Sequence, residues 1–176
     1  MAEELAATKV LARYVAATRY EHLSKELLWE AKRRTADVLA IGLSGSTTSS
    51  GKGMRAFARE VSPPGAATLW GSGELVSAEI AALANATMAF HLELDDVHRT
   101  SHTHPGISVI PAALAICEEK RLDPKEFLTA VVVGYDVVTR VGMAVSPSIY
   151  VDRVFLAPDA CPSRGGSGRG EPQPAG

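Results

Sequence analysis

The stretch from Ala84 to Gly106 gathers most of the acid–base side chains that lie close together in this sequence. Four of the chain's five histidines and three carboxylates fall within 14 positions: His91, Glu93, Asp95, Asp96, His98, His102 and His104. A carboxylate beside a histidine can fix the tautomer of the imidazole and raise its basicity. A histidine held in this way can move protons to and from a carbon acid or a leaving hydroxyl group.

His104 is the natural candidate for a positioned acid or base, because Pro105 and Gly106 follow it and Pro105 restricts the backbone there. Two other interpretations stay open. The clustered imidazoles and carboxylates are also metal-ligand types, although their spacing matches neither HExxH nor a zinc-finger pattern. They are also typical of a solvated polar loop. For His91, on the Ala-rich segment, a hydrogen-bonded core histidine is the favoured interpretation.

The composition of the chain is that of an ordinary soluble globular protein. Its 176 residues are 46% hydrophobic and 22% charged, with a net charge of −2, which suits one domain with a real core. Lysine and arginine (18) are slightly fewer than aspartate and glutamate (20) and form no basic run. A nucleic-acid partner is therefore not expected.

The cysteines and the N-terminus indicate a cytoplasmic location. Cys117 and Cys161 lie far apart in unlike contexts, so no disulfide framework is implied and a reducing compartment is the default. The first residues, MAEELAATKVLARYV, carry acids where a signal peptide needs basic residues. No uninterrupted apolar run reaches the ~18 residues that a transmembrane helix needs, so no membrane partner is expected.

About six helices are predicted to position the polar stretch. Their predicted ranges are 4–18, 25–43, 52–60, 75–92, 108–120 and 124–146. Ser24 is predicted to cap the second helix, and Asp123 followed by Pro124 to begin the last one. Gly42 and Gly45, with the Ser/Thr run after them, are predicted to end the second helix.

Two of these helices flank the polar stretch directly. The segment 75–92 is Ala-rich and apolar on most sides, so we expect it to be buried among other helices. The helix that follows the stretch is predicted to have Ser108 as its cap and Pro111 in its first turn. For Asn85, Tyr135 and Arg140, which are polar groups on otherwise apolar helices, a structural hydrogen bond is the favoured interpretation.

The sequence therefore predicts an all-α, multi-helix bundle over residues 4–148, followed by a different kind of segment at the end. Residues 156–176 contain five Gly and four Pro in 21 positions and almost nothing that can pack. We predict that this Gly/Pro-rich tail is disordered.

Two blocks of the sequence closely resemble the MmgE/PrpD family. They are NATMAFHLELDDVHRTSHTHPGISVIPAALA at 85–115 and AVVVGYDVVTRVGMAV at 130–145, and the segment AKRRTADVLAIGLSG at 31–45 also fits. The resemblance covers about residues 5–148. The family includes 2-methylcitrate dehydratases, cis-aconitate decarboxylases and iminodisuccinate epimerases. It implies the N-terminal part of that family's large helical domain.

The resemblance also implies a function and a set of site residues. The family's chemistry is that of a lyase or isomerase, without metal or other cofactor, acting on a small di- or tricarboxylic acid, and homodimers are typical. Its HPG histidine, here His104, lines the active site, and the acidic stretch before it contributes to the same pocket. We therefore expect His104, Asp95 and Asp96 to be catalytic, and Glu93, His98 and His102 to bind substrate.

Two departures from the family pattern shape this expectation. Val97 stands where the decarboxylase branch has a threonine, which favours a 2-methylcitrate dehydratase-like reaction of propionate metabolism over decarboxylation. Family members are also more than twice as long. We therefore expect a truncated or frame-shifted fragment that is impaired or inactive alone. The alternatives are a metal-dependent hydrolase that uses the Asp/His cluster, and a non-catalytic helical module that mediates assembly.

Overall fold

The computed structural model describes residues 6–146, and this part of the chain is mostly helical. Its helices are α1 (Ala7–Ala17), α2 (Lys25–Ser46), α3 (Ser49–Val61), α4 (Ala78–Phe90), α5 (Pro105–Lys120) and α6 (Pro124–Val145). A short 3-10 helix, Tyr20–His22, joins α1 to α2. The predicted all-α class is confirmed. The predicted disordered tail lies outside the described residues.

Two of the helices, α2 and α6, begin at the side-chain caps that the sequence predicts. The hydroxyl of Ser24 accepts a hydrogen bond from the backbone N–H of Leu27 at 3.3 Å, at the start of α2. The carboxylate of Asp123 accepts one from the N–H of Lys125 at 2.7 Å, with Pro124 in the first turn of α6. Each cap satisfies a backbone donor that the first helical turn leaves without a partner.

Helix α2 ends at Ser46, the first residue of the Ser/Thr run that was predicted to end it, but it continues through Gly42 and Gly45, so the prediction that these glycines help to end it is wrong. These glycines permit close packing instead. A Cβ atom at Gly42 would lie 2.5 Å from the ring of Trp70, and one at Gly45 would overlap the carbonyl oxygen of Met88 on α4. The missing side chains therefore let α2 approach its neighbours more closely than any other residue would allow.

The segment before α4 also differs from the prediction. Leu75 and Val76, which were expected to be helical, form strand β2 (Leu75–Val76) and pair antiparallel with strand β1 (Ala67–Thr68). Leu69 and Trp70, which follow β1, are buried. The ring of Trp70 packs against Gly42 of α2. Tertiary pairing at this point overrides the helical preference of the segment.

Helix α5 begins earlier than expected. His104 occupies the position just before the helix and Pro105 the first helical position, so the prediction of a Ser108 cap was wrong. Pro111, expected in the first turn, lies inside the helix and is buried. The earlier start places His104 at the junction between the polar loop and α5.

Helix α4 lies at the centre of the bundle and packs mainly on α5 and α2. Its buried residues are mostly small: Ala78, Ala81, Ala84, Asn85, Met88 and Ala89. The prediction that this Ala-rich helix is buried among others is confirmed. Asn85 spans the gap to the strand region, accepting from the N–H of Trp70 and donating to the carbonyl of Thr68, both at 2.9 Å. The predicted structural role of Asn85 is thus confirmed too.

The two outer helices are much less covered. Helix α1 has no buried residue, and α6 has only Val131, Val133 and Gly142. By length and composition alone α6 could cross a membrane, with a mean hydropathy of 1.5 over a window that is 17% buried. Core helices of soluble proteins pass the same test, so the expectation of no membrane partner stays a prediction.

Candidate active site

The polar stretch forms a compact loop between α4 and α5. The backbone N–H of His98 donates to the carbonyl of Thr103 at 2.9 Å, which closes a short hairpin. The buried hydroxyl of Ser101 lies 2.7 Å from both Nδ1 of His98 and Oγ1 of Thr103. A Cβ atom at Gly142 of α6 would come within 2.7 Å of Ser101, so the loop sits tightly against that helix. These contacts hold the residues before His104 in one arrangement.

His104 and Asp95 form the clearest acid–base pair in the described part of the chain. Nδ1 of His104 and Oδ2 of Asp95 are 2.7 Å apart. The Asp95 side chain is only 1% exposed, whereas that of His104 is 41% exposed. When the carboxylate of Asp95 is ionised it can only accept, so Nδ1 of His104 is then the donor of this pair and Nε2 is the nitrogen left for other partners. The edge of Phe90 packs against the imidazole, with ring centroids 6.1 Å apart and planes at 84°.

The buried carboxylate of Asp95 has one unused acceptor. Its Oδ1 atom is inaccessible and has no hydrogen-bond partner within residues 6–146. Leaving such an atom unpaired is costly, so native structures usually supply a donor from protein or solvent. Among the described residues, Oδ1 of Asp95 is therefore a buried acceptor without a donor.

Asp96 makes a different set of contacts from its neighbour. Its Oδ1 accepts the backbone N–H of Gly106 at 2.9 Å. Its Oδ2 accepts from the hydroxyl of Tyr135 at 3.0 Å and from Nη1 of Arg34 at 3.2 Å. Burial, followed by the charge and hydrogen bond of Asp96, raises the pKa of Tyr135 above its usual 10.0. The phenol therefore stays a donor. For Tyr135 and Arg140 the favoured structural hydrogen bonds are confirmed, the latter to Asp136 at 2.8 Å.

A cleft of about 490 Å³ opens beside Asp96, between α1, α2 and α6. Its polar lining residues are Tyr14, Glu30, Arg34, Asp96, His98, Tyr135, Asp136 and Thr139. His104 and Asp95 do not line it. The cleft therefore adjoins the acid–base pair across Asp96 and Pro105 without containing it.

The other predicted site residues are spread around the loop. His98 lines the cleft. Glu93 and His102 are turn residues, each with a positive φ of about 50°, and both side chains reach the surface of the loop. His91 is also exposed, at the C-terminal end of α4, so the interpretation of a core histidine was wrong. His91 follows the last residue of α4, Phe90, and its side chain is exposed there.

Arg34 is the functional candidate that the sequence analysis missed. It lies on α2, where Nε contacts Glu30 Oε1 at 2.7 Å and Nη1 contacts Asp96 Oδ2 at 3.2 Å. The hydrogen bond with Glu30, above all, raises the pKa of its guanidinium, which remains charged. A signal was present, because Arg34 falls between Ala31 and Val38 on the otherwise apolar stripe of α2.

A metal centre finds no support in the arrangement of the described side chains. Within residues 6–146, no three His, Cys, Asp or Glu side chains stand close enough together to hold a metal ion. The carboxylates of Asp95 and Asp96 point to different partners, as their hydrogen bonds show. The chemistry that the loop can perform with its own side chains is proton transfer at His104.

Comparison with known proteins identifies the family of the chain. Residues 9–160 match the model of the MmgE/PrpD N-terminal domain. The chain is also 26% identical over 144 residues to the cis-aconitate decarboxylase-like protein oryM of Aspergillus oryzae (strain ATCC 42149 / RIB 40). That alignment covers 78% of this chain and 30% of the relative, so the chain spans less than a third of the length of the curated relative. With a family match across most of its length, the chain belongs to the MmgE/PrpD family.

Proposed function

We propose that the chain supplies the acid–base part of an active site for a lyase of small di- or tricarboxylic acids, similar to 2-methylcitrate dehydratase. One observation carries the proposal: a half-exposed His104 whose Nδ1 is bonded, at 2.7 Å, to the buried carboxylate of Asp95. This pairing is what a general base needs, because the carboxylate orients the ring and stabilises the imidazolium that forms.

In the proposed dehydration, Nε2 of His104 removes a proton from the carbon next to a substrate carboxylate, or delivers one to the leaving hydroxyl. Asp95 keeps the ring in the tautomer that this step needs. The reaction eliminates water across a carbon–carbon bond and uses no metal ion. Cationic groups must balance the carboxylates of the substrate and the charge that develops in the transition state.

The described residues provide only part of this machinery. Arg34, the guanidinium in the cleft, already contacts Glu30 and Asp96, and Oδ1 of Asp95 has no donor within residues 6–146. We propose that the groups that grip the substrate and complete the Asp95 hydrogen bonds lie outside this range. The chain by itself is then expected to convert little or no substrate.

Decarboxylation is the second candidate reaction. The relative in Aspergillus oryzae carries the name of a cis-aconitate decarboxylase-like protein. The same histidine would then protonate the carbon from which carbon dioxide leaves. Val97, in place of a threonine expected in that branch, favours the dehydratase reaction instead.

The acid–base role can be tested by substrate-analogue binding to the chain itself. Tricarballylate, a tricarboxylate that cannot lose water, is titrated while the histidine ring signals are followed by NMR. Because the groups that grip the carboxylates are proposed to lie outside residues 6–146, we expect weak but saturable shifts for His104, at millimolar concentrations. We expect none for His22, which lies on the 3-10 helix. Sodium chloride at equal ionic strength is the control. Shifts that salt reproduces, or no shift at His104, would contradict the proposal.

The reaction itself is tested with 2-methylcitrate and with cis-aconitate, by following the ultraviolet absorbance of the unsaturated acids. The wild-type chain and His104→Ala are both expected to show little or no conversion. Conversion of 2-methylcitrate that depends on His104 would support the chemistry and overturn the proposal of an incomplete site. Conversion of cis-aconitate alone would favour the decarboxylase reaction.

A further inference from the structure

We infer that Asp96 is a positioning residue that caps helix α5 from a distance and thereby leaves the side chain of His104 available to Asp95. The inference rests on the proposed role of His104 as acid or base. It gives the second carboxylate of the Asp95–Asp96 pair a task separate from the proton transfer. Arg34 and Tyr135, which come from two other helices, complete the arrangement.

The start of α5 departs from the usual pattern of helix capping. A residue in the position before a helix commonly accepts a backbone N–H from the first turn with its own side chain. His104 holds that position and makes no such hydrogen bond. Its Nδ1 is committed to Asp95 instead. Pro105, the next residue, has no N–H, so Gly106 contributes the first backbone donor of the helix.

Asp96 satisfies that donor. Its Oδ1 accepts the N–H of Gly106 at 2.9 Å, across ten positions of the chain. A negative charge at this end also interacts favourably with the helix dipole. If His104 had to cap its own helix, its ring could not bond Asp95 in the observed way. The ring of His104 is therefore oriented by Asp95, because Asp96 takes over the capping of α5.

Glycine at position 106 is what allows Asp96 to come so close. A Cβ atom there would lie 2.7 Å from Oδ1 of Asp96, 2.8 Å from the hydroxyl of Tyr135 and 2.8 Å from Cγ2 of Val38. All three separations are shorter than normal contact distances. In the His-Pro-Gly sequence, His104 therefore keeps its ring for Asp95, and Pro105 has no backbone N–H. Gly106 has no side chain to block Asp96.

Two long-range contacts hold the carboxylate of Asp96 in place. Tyr135 on α6 donates its hydroxyl to Oδ2 at 3.0 Å, and Arg34 on α2 approaches the same oxygen at 3.2 Å. The Asp96 side chain is only 8% exposed, so these contacts are largely shielded from solvent. The start of α5, and with it His104, is therefore fixed relative to both α2 and α6.

The test measures His104 directly in the folded chain, without substrate. In Asp96→Ala, the Gly106 amide is expected to exchange about tenfold faster, as loss of a typical hydrogen bond predicts. The ring ¹⁵N shifts of His104 are expected to move from the Nδ1–H tautomer toward a mixture. Tyr135→Phe, which removes one support of Asp96, is expected to cause smaller changes in the same direction.

Tyr14→Phe is the matched control, because Tyr14 lines the same cleft and has no hydrogen bond to Asp96. It is expected to leave Gly106 and His104 unchanged. A purely structural Asp96 would lower the thermal midpoint and leave the ring signals of the folded chain as in the wild type, which would overturn the inference. Unchanged Gly106 and His104 signals in folded Tyr135→Phe would overturn it as well, even if Asp96→Ala failed to fold. If the wild-type chain failed to bind tricarballylate while the variants gave the expected Gly106 and His104 signals, only the proposed function would be contradicted.

Discussion

At the scale of single residues, Asp95 and Asp96 show how neighbours in sequence take on different tasks. Asp95 is directed to the ring of His104, while Asp96 is directed to the backbone of Gly106 and to the side chains of Arg34 and Tyr135. Both carboxylates are almost fully buried, at 1% and 8% exposure of their side chains. A buried carboxylate needs partners, and each finds a different one.

Tyr135 makes the stability of the fold sensitive to alkaline pH. Burial and Asp96 raise the pKa of this phenol in the folded chain above its usual 10.0. Its contribution to stability is therefore fully present below pH 10 and is lost as the pH rises above that value, because the unfolded chain then releases the proton first. Urea unfolding of the wild type should show stability falling above pH 10.

Tyr135→Phe provides the comparison for this effect. Loss of the hydrogen bond to Asp96 is expected to cost ~1 kcal/mol at neutral pH. The decline above pH 10 should then be shallower than in the wild type, since Phe does not titrate. Tyr14, whose pKa burial also raises, leaves a residual slope. Equal slopes for the two proteins would argue against a raised pKa at Tyr135.

At the scale of the elements, glycines determine how closely the helices approach. Gly45 of α2 meets the backbone of Met88 on α4, and Gly134 of α6 meets Val109 on α5. The glycine at position 53 is different, because it lies inside α3 and a Cβ atom added to it would meet nothing within 4 Å. Identical residues therefore serve close packing at one site and add only flexibility at another.

Alanine at Gly53 and at Gly45 should have opposite effects on stability. Gly53→Ala is expected to stabilise the chain by about 0.5–1 kcal/mol, since alanine loses less backbone entropy in a helix. Gly45→Ala is expected to destabilise it by ~1–3 kcal/mol, because the new Cβ overlaps the Met88 carbonyl. Denaturant unfolding of both variants measures the difference. If Gly45→Ala left the free energy of unfolding unchanged, α2 and α4 could move apart without loss of stability, and the prediction would be wrong.

At the scale of the whole molecule, the centre and the outer helices are unequally packed. Helix α4 buries six of its 13 residues and packs mainly on α5 and α2, whereas α1 buries no residue. Large apolar side chains remain exposed on α1 (Val10, Tyr14, Val15) and on α6 (Val141, Met143, Val145), each at least 38% exposed. Where exposed apolar side chains form a large patch, that patch commonly marks a site of association.

We accordingly expect the chain to self-associate as a homodimer. Size-exclusion chromatography with light scattering should give twice the chain mass of 18.6 kDa, about 37 kDa, in one symmetrical peak. A monomeric peak would contradict this expectation. A broad distribution of large species would show aggregation through exposed apolar surface rather than a defined interface, and would contradict it too.

Much of the fold follows from local sequence signals. The helix caps at Ser24 and Asp123 and the burial of the Ala-rich α4 depend on interactions within a few residues or on helical periodicity, so they could be predicted. His104 was likewise recognisable as the positioned histidine, because Pro105 and Gly106 follow it directly. The participation of these residues in catalysis stays a prediction.

Only the tertiary structure decided how the site is assembled. Arg34 and Tyr135 reach Asp96 across 62 and 39 positions of the chain, and no local pattern reports such contacts. The glycines that were expected to stop α2 instead allow it to pack on α4, since a glycine's role depends on what lies against it. The sequence by itself determined the all-α class and the chemical groups of the loop, because both follow from local residue patterns. Packing decided which carboxylate orients His104 and which one holds the helix that carries it.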